Sequence, residues 1–256
     1  MLGKTLTEYV TAAPEIVKNV GGYLSDREIR FLALLGGSRL ADGEILEIGS
    51  FQGKSTVILA KAANLVGDAR ISAVDPLVVG EYNSPRELID KNLSDAGVKD
   101  FVDFHQMMSH ELAPEWSQPL RLLWIDGDHS YVGASTDFNG FAHHLADGGI
   151  IAFHDTINFY DGSLRVFMED VLLNEHFGAA GLWGTIGWAR YHTDPAFALQ
   201  HRQRNLDLYR RLSRLVPYVA FGNAPTDWWS KASFRFHRCR VPHQELAPEK
   251  WLKAVA

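Results

Sequence analysis

Several things are scarce in this chain, and each scarcity removes a class of function. There is one cysteine, Cys239, so no disulfide can form within the chain and the sequence suits a reducing compartment. No apolar run approaches membrane-spanning length, and the opening MLGKTLTEYVTAAPEIVKNV has no unbroken apolar core of the kind that marks a secretory leader. The expectation is a cytoplasmic protein with no membrane partner. Basic residues are outnumbered, 25 Lys and Arg against 31 Asp and Glu, for a formal net charge of −6. A nucleic-acid binder needs a basic face to displace counterions, so nucleic acid is not an expected partner. Internal repeats and low-complexity tracts are absent as well.

What is present is ordinary for a globular enzyme. The 256 residues, 46% apolar and 22% charged, fit one large α/β domain with an appendage. The expected organisation is a weakly helical lead-in over residues 1–24, a domain over 25–193, and a helical, Trp- and Arg-rich extension over 194–256 that packs on the domain or on a dimer partner.

The chain is organised around residues 45–60, ILEIGSFQGKSTVILA. Ile45, Leu46 and Ile48 read as a buried parallel strand, Gly49 and Gly53 as a sharp turn, and Val57 to Ala60 as a helix that Ser55 and Thr56 are placed to cap. A strand feeding a glycine turn and a helix N-terminus presents free backbone N–H groups to a ligand. A dinucleotide site wants three glycines spaced for a pyrophosphate, whereas here Glu47 precedes the turn and bulky Phe51 and Gln52 fill it. A carboxylate there repels a pyrophosphate and suits an ammonium group or a water.

This stretch resembles motif I of the class I S-adenosylmethionine-dependent methyltransferases, and EIGSFQGKS is similar to the turn of catechol O-methyltransferase and its metal-dependent relatives. The resemblance implies a Rossmann-like α/β fold, a seven-stranded mostly parallel sheet with helices on both faces. It also implies S-adenosyl-L-methionine as cofactor, held by Glu47, Gly49, Ser50, Phe51, Gly53 and Ser55. Asp75, ending the next buried strand in RISAVDP, would receive the ribose hydroxyls, since a carboxylate accepts two hydrogen bonds at once. Ser109 and His110 would face the adenine, and Asp126 would lie beside Glu47.

The remaining elements follow in order. Ser25 and Glu28 form a capping box before DREIRFLALL, which Gly36 and Gly37 are expected to stop; its expected role is packing. Ser84, Pro85 and Glu87 open a further capped helix. Strands are expected over 101–107, 120–126 and 150–153, and helices over 131–145, with Val132, Phe138, Phe141 and Ala142 facing the sheet, and over 163–176, capped by Ser163. GLWGTIGWARYH reads as a closing antiparallel pair turned at Gly184. His143 and His144 are neighbours, about 100° apart on a helix, and are expected to be structural or on the surface.

Two strand ends carry the chemistry, IDGDHSY at 125–131 and FHD at 153–155. Asp126, Asp128, His129, His154 and Asp155 gather oxygen and imidazole donors at a density that suggests a divalent metal, Mg²⁺ or Mn²⁺ where carboxylates dominate. In metal-dependent O-methyltransferases an acid ends the fourth strand and a pair ends the fifth, which implies Asp126, His154 and Asp155 as ligands. Macrolide-sugar methyltransferases and the related cephalosporin hydroxylase family carry Glu where this chain has His154. That departure shifts preference toward Mn²⁺, Fe²⁺ or Zn²⁺, or leaves the place to Asp128 or a water. Asp128 and Ser130 also read as a plain polar cap for the next helix. The resemblance places a catalytic base at His129, whose ordinary pKa near ~6.5 suits the task. The implied reaction is O-methylation of a small-molecule hydroxyl, by preference on a sugar or glycoside. The rivals are a redox-metal hydroxylase on the same scaffold and a non-catalytic binding protein. Trp183, Trp188, Trp228, Trp229, Tyr82 and Tyr160 are candidates for stacking on the acceptor, or for core and homodimer packing.

Overall fold

Five strands lie side by side in parallel, and the inner four are apolar runs because they are covered on both faces, while the edge strand is half-exposed. The computed structural model describes residues 4–67, 71–79, 82–220, 225–243 and 248–255. Helices α1 (Lys4–Ile16) and α2 (Asp26–Gly37) lead into β1 (Glu44–Ile48), α3 (Lys54–Leu65) and β2 (Ile71–Val74). A two-residue pair, β3 (Val78–Val79) and β4 (Tyr82–Asn83), precedes α4 (Arg86–Asp95), β5 (Val102–His105) and α5 (Ser109–Leu112). Then come β6 (Leu120–Ile125), α6 (Tyr131–Phe141), β7 (Leu145–Phe153), α7 (Asp161–Val166), β8 (Phe177–Trp183) and β9 (Ile186–Tyr191). The last part holds α8 (Pro195–Leu199), α9 (Arg202–Leu212), α10 (Trp228–Arg238) and α11 (Pro248–Ala254).

The seven-stranded sheet runs β5-β2-β1-β6-β7-β9-β8, with β9 antiparallel to both neighbours and the rest parallel to β1. The chain winds outward from β1 to β5 and then returns to place β6 on the other flank of β1. Direction therefore reverses between β1 and β6, where a crevice opens beyond the strand ends. Alternate residues feed two cores: Ile45, Leu122 and Trp124 face α1, α2 and α3, while Leu46, Leu123 and Ile125 face α6 and α7. No helix among the described residues is long and apolar enough to cross a membrane.

Several local expectations are corrected, each for a physical reason. Helix α2 ends at Gly37 with Ser38 as its cap, where it is expected to stop, but its two glycines have a further role: a Cβ at Gly36 would meet Ala62 and the Leu59 backbone, and one at Gly37 would strike Leu6, so they let α2 press on its neighbours. Ser55 and Thr56 lie inside the first turn of α3, whose cap is left-handed Gly53, and α4 starts after Pro85 without a side-chain cap from Ser84. Strand β7 begins at Leu145, not Ile150, and Val132 points outward at 74% exposure. Helix α7 starts at Asp161 without a Ser163 cap and widens into a π turn over Phe167–Leu172. Trp183 and Trp188 are buried in the core, so neither offers a ligand surface.

The C-terminal segment contributes to both cores, with Trp251 and Val255 in one and Phe234 and Val241 in the other. Trp251 is fully buried, edge-on to Phe31 (5.1 Å between ring centroids) and Trp188 (4.9 Å), and its indole N–H donates to Ser38 Oγ at 2.9 Å. Trp251→Ala is expected to cost about 3–5 kcal/mol, read as a lower urea midpoint.

Candidate functional site

The turn after β1 is shaped by its neighbour. Gly49 has φ +89°, and a Cβ there would come 2.1 Å from the Asp126 carbonyl oxygen, so only glycine lets the turn rest on the backbone that ends β6. Asp126 N donates to the Ile48 carbonyl at 2.8 Å, fixing the two strand ends together. Beneath the turn Glu47 is fully buried, and its Oε2 accepts from Thr56 Oγ1 (2.6 Å) and Ser50 Oγ (3.3 Å) while Oε1 completes no hydrogen bond among the described residues. Burial lifts its pKa to about 7 against the hydrogen bonds from Ser55 and Thr56, with the Asp126 charge adding to the rise.

Asp75 ties the outer side of the same turn. Its Oδ2 accepts from Ser50 N (2.8 Å) and Phe51 N (2.7 Å), and its Oδ1 from Leu77 N (2.6 Å). A carboxylate has roughly four lone-pair sites, so one is left for a ligand hydroxyl. Phe51, held at φ +48°, stacks on Tyr23 with ring centroids 6.0 Å apart. Ser109 donates to the buried Asp137 on α6, and His110 is exposed at the start of α5.

Strands β6 and β7 deliver the second half of the site. His154 N donates to the Ile125 carbonyl (3.0 Å), so the residues that follow each strand meet. His154 Nδ1–H donates to Asp126 Oδ1 at 2.9 Å, and its Nε2 lies 3.8 Å from Glu28 Oε2. His129 Nδ1–H donates to the Gly127 carbonyl at 2.7 Å, which turns Nε2 toward Asp155 Oδ2 (3.4 Å) and Asp126 Oδ1 (3.6 Å). Among the described residues, donor atoms of Asp126, His129 and His154 lie within 4.8 Å of one another. Asp155, in a left-handed conformation at φ +55°, stands beside them with Oδ1 accepting from Asn158 Nδ2 at 2.9 Å.

Electrostatics couples these groups. Burial alone would depress both histidines, yet Asp126, Asp155 and, for His154, Glu28 hold His129 above its ordinary pKa and His154 well above it. Burial would likewise raise Glu28 and Asp155, and the facing imidazoles bring both below the usual carboxylate range. The Nε2 atoms of His129 and His154 are buried without completing a hydrogen bond. Asp128 is turned to other work: its carboxylate accepts from Ser130 N and Oγ, and Ser130 caps α6 by accepting from Gly133 N.

Sequence reasoning missed two acids. Glu28 belongs to the expected capping box with Ser25, but its other oxygen accepts from Thr185 and the group sits under His154. Asp137 is buried below the Gly127 turn, with a pKa raised by burial to about 6. Both lie on apolar stripes at helical spacing, Glu28 with Phe31, Leu32 and Leu35, and Asp137 with Ala134, Phe138 and Phe141. An acid on such a stripe was the available signal. Of the aromatic candidates, Tyr160 packs on His129 (4.7 Å between ring centroids), Trp228 and Trp229 are exposed on α10, and the Tyr82 side chain lies outside the described residues.

Glu47 supplies a pH test. Its folded pKa, about 7, lies above the unfolded value, so the native state binds the proton more tightly and stability falls as pH rises from the unfolded pKa to about 7. Glu47→Gln removes that loss and should gain about 1–3 kcal/mol over the wild type at alkaline pH, with little gain in acid, in paired urea melts.

Comparison with known proteins agrees with this geometry. A family model described as a methyltransferase domain matches residues 46–156. The uncharacterized protein R132 of Acanthamoeba polyphaga mimivirus is 28% identical over 116 residues, 43% of this chain, and the match spans half the length of that relative. The O-methyltransferase TomG of Streptomyces achromogenes, from tomaymycin synthesis and solved with SAM, superposes with TM-score 0.53 at 19% identity, over 74% of this chain and 91% of its own. CalS11, a TDP-rhamnose 3′-O-methyltransferase of calicheamicin biosynthesis, gives TM-score 0.51 at 21% identity, over 75% and 93%. With β6 and β7 completing the sheet beside the Gly49 turn, the chain has the fold of these O-methyltransferases, and its residues 46–156 are similar to a methyltransferase domain.

Proposed function

We propose that this chain is an S-adenosylmethionine-dependent O-methyltransferase whose acceptor hydroxyl is activated at a divalent cation, with a sugar or glycoside as the preferred acceptor. The observation that carries it is the convergence of Asp126, His129 and His154 beside the Gly49 turn. The donor set fits a cation. His154, held well above its ordinary pKa, stands among Asp126, Asp155 and Glu28, so a cation that takes the place of its proton keeps those carboxylates balanced. With His129 kept as the base, the donors are Asp126, Asp155 and His154, and an imidazole among carboxylates favours Mn²⁺, Fe²⁺ or Zn²⁺ over the Mg²⁺ that an all-carboxylate site would select.

In this reading Ser50, Phe51 and Gly53 cradle the amino-acid end of the cofactor, Asp75 offers its remaining lone pair to the ribose, and Ser109 and His110 border the adenine. The cofactor supplies the methyl group when bound, and the cation supplies Lewis-acid polarisation of the acceptor oxygen. The chain's own contribution is orientation and proton removal. The Gly127 carbonyl fixes the His129 tautomer so that Nε2 is the proton-accepting atom, and Asp155 on its flank favours the imidazolium that forms. Glu28 keeps the His154 ring in place from behind.

A second reading has one observation in its favour. Two histidines and one carboxylate are also the donor set of non-haem iron oxygenases. Methyl transfer to sugar and catechol acceptors with Mg²⁺ or Mn²⁺, against oxygen uptake with Fe²⁺, separates the two.

Mn²⁺ titration tests the site directly. Asp126→Ala should weaken Mn²⁺ binding by at least about tenfold and methyl transfer by at least about a hundredfold, while S-adenosylhomocysteine still binds. Unchanged Mn²⁺ affinity and turnover would reject the metal mechanism. His129→Gln should lower the rate by about a hundredfold or more with Mn²⁺ affinity retained, and a parallel fall in affinity would instead make His129 a ligand.

A further inference from the structure

Beside Asp155 and Glu28 the surface falls into a cleft of about 570 Å³ that the reaction described above leaves unassigned. It lies on the hairpin side of the Asp126–His129–His154 cluster, and Tyr23, which stacks on Phe51, borders it toward the Gly49 turn: Asn158 follows β7, Gly184 and Thr185 form the β8–β9 turn, and Ser25, Arg27 and Glu28 open α2. Its outer wall comes from the C-terminal segment, as Arg235, Arg238, Cys239 and His243.

That wall is anchored. Phe234 is fully buried and packs on Phe159 at 4.7 Å between ring centroids, which fixes α10 to the loop carrying Asp155 and Asn158. The His243 carbonyl accepts from Gly184 N and from Arg27 Nη2, each at 3.2 Å, tying the chain after α10 to the hairpin turn and to α2. Arg235, Arg238 and Cys239 are spaced i, i+3 and i+4, so they share one face of α10.

The charges of the cleft are sorted by depth. Glu28 and Asp155, at the inner end, face the histidines and Thr185. Arg235 and Arg238, at the outer end, make no ion pair with a carboxylate among the described residues. Two guanidiniums on one anchored face, next to a third guanidinium and an imidazole, form a fork suited to a phosphate or carboxylate.

Resting on the methyltransferase reading, we propose that the acceptor carries an anionic group, a phosphate ester or a carboxylate, which Arg235 and Arg238 hold with Arg27 and His243 beside them. The hydroxyl to be methylated then reaches inward toward Asp155 and the Asp126–His129–His154 cluster. An acceptor of this kind is selected by charge at one end and by hydroxyl position at the other.

Cys239, exposed and the only cysteine of the chain, is a built-in reporter of this cleft. Alkylation of the full-length protein by neutral iodoacetamide should be slowed about fivefold or more by millimolar inorganic pyrophosphate, and hardly at all by glucose. Arg235→Gln/Arg238→Gln should abolish the protection. Arg210→Gln/Arg214→Gln, which removes the same charge from a separate groove between α9 and α10, should keep it. If the double variant fails to fold, Arg235→Glu alone, at an exposed position, should still cut protection at least about threefold. Glucuronate in place of pyrophosphate tells a carboxylate site from a phosphate site. Absence of protection by either anion, equal protection by glucose, or full protection in the Arg235/Arg238 variant would overturn the proposal. S-adenosylhomocysteine and Mn²⁺ titrations on the same variants should be unchanged, so failure here is distinct from failure of the metal site.

Discussion

Buried charge must be balanced, and the functional half of this fold follows from that constraint. Adjacent strands β6 and β7 end at the same level, and the chain places acids and imidazoles at both ends. In a poorly solvated pocket an uncompensated carboxylate is costly. Asp126, Asp155 and Glu28 are therefore met by His129 and His154: the carboxylates raise both imidazoles, and the imidazoles lower Glu28 and Asp155. The same arrangement stabilises the cluster as ion pairs, and the proposed cation would take the place of a proton within it.

Around that cluster the sheet separates the tasks by position. On one side, β1 and β2 present a turn whose shape is set by Gly49 against Asp126 and by Asp75 against the Ser50 and Phe51 amides. On the other, the β8–β9 hairpin and the N-terminus of α2 border a cleft that the C-terminal segment closes. The residues between, at the ends of β6 and β7, are within reach of both. Among the described residues the non-glycine positions with positive φ, Phe51, Leu77 and Asp155, lie in loops after β1, β2 and β7, where backbone strain is held by the elements around it.

The C-terminal segment is part of this division. Trp251 seals the face that carries α1 and α2, and Phe234 seats α10 against the loop after β7. Its basic residues thus reach the cleft on a rigid helix, and it completes the outer wall of a site whose inner wall comes from strands far earlier in the chain.

The strands, the glycine turn, the closing hairpin and the three anchors EIGSFQGKS, IDGDHSY and FHD were legible in the sequence, because buried parallel strands read as short apolar runs and polar residues at their carboxyl ends stand out. Local chemistry could not reveal that Gly36 and Gly37 serve helix contact, that Ser55 and Thr56 bond Glu47 rather than cap, or that Trp183 and Trp188 fill the core. Those depend on which elements touch. Glu28 reads only as part of an N-terminal cap and Asp137 carries no reading from the sequence, and the fold brings the first under His154 and the second under the Gly127 turn. The wall of arginines is the extreme case, since Arg27 and Arg238 are joined only by the packing of the first and last parts of the chain. Sequence alone determined which chemical groups stand at the strand ends, because period and spacing are local. Tertiary structure decided which of them share a buried space and therefore one charge balance, because that depends on distance in three dimensions.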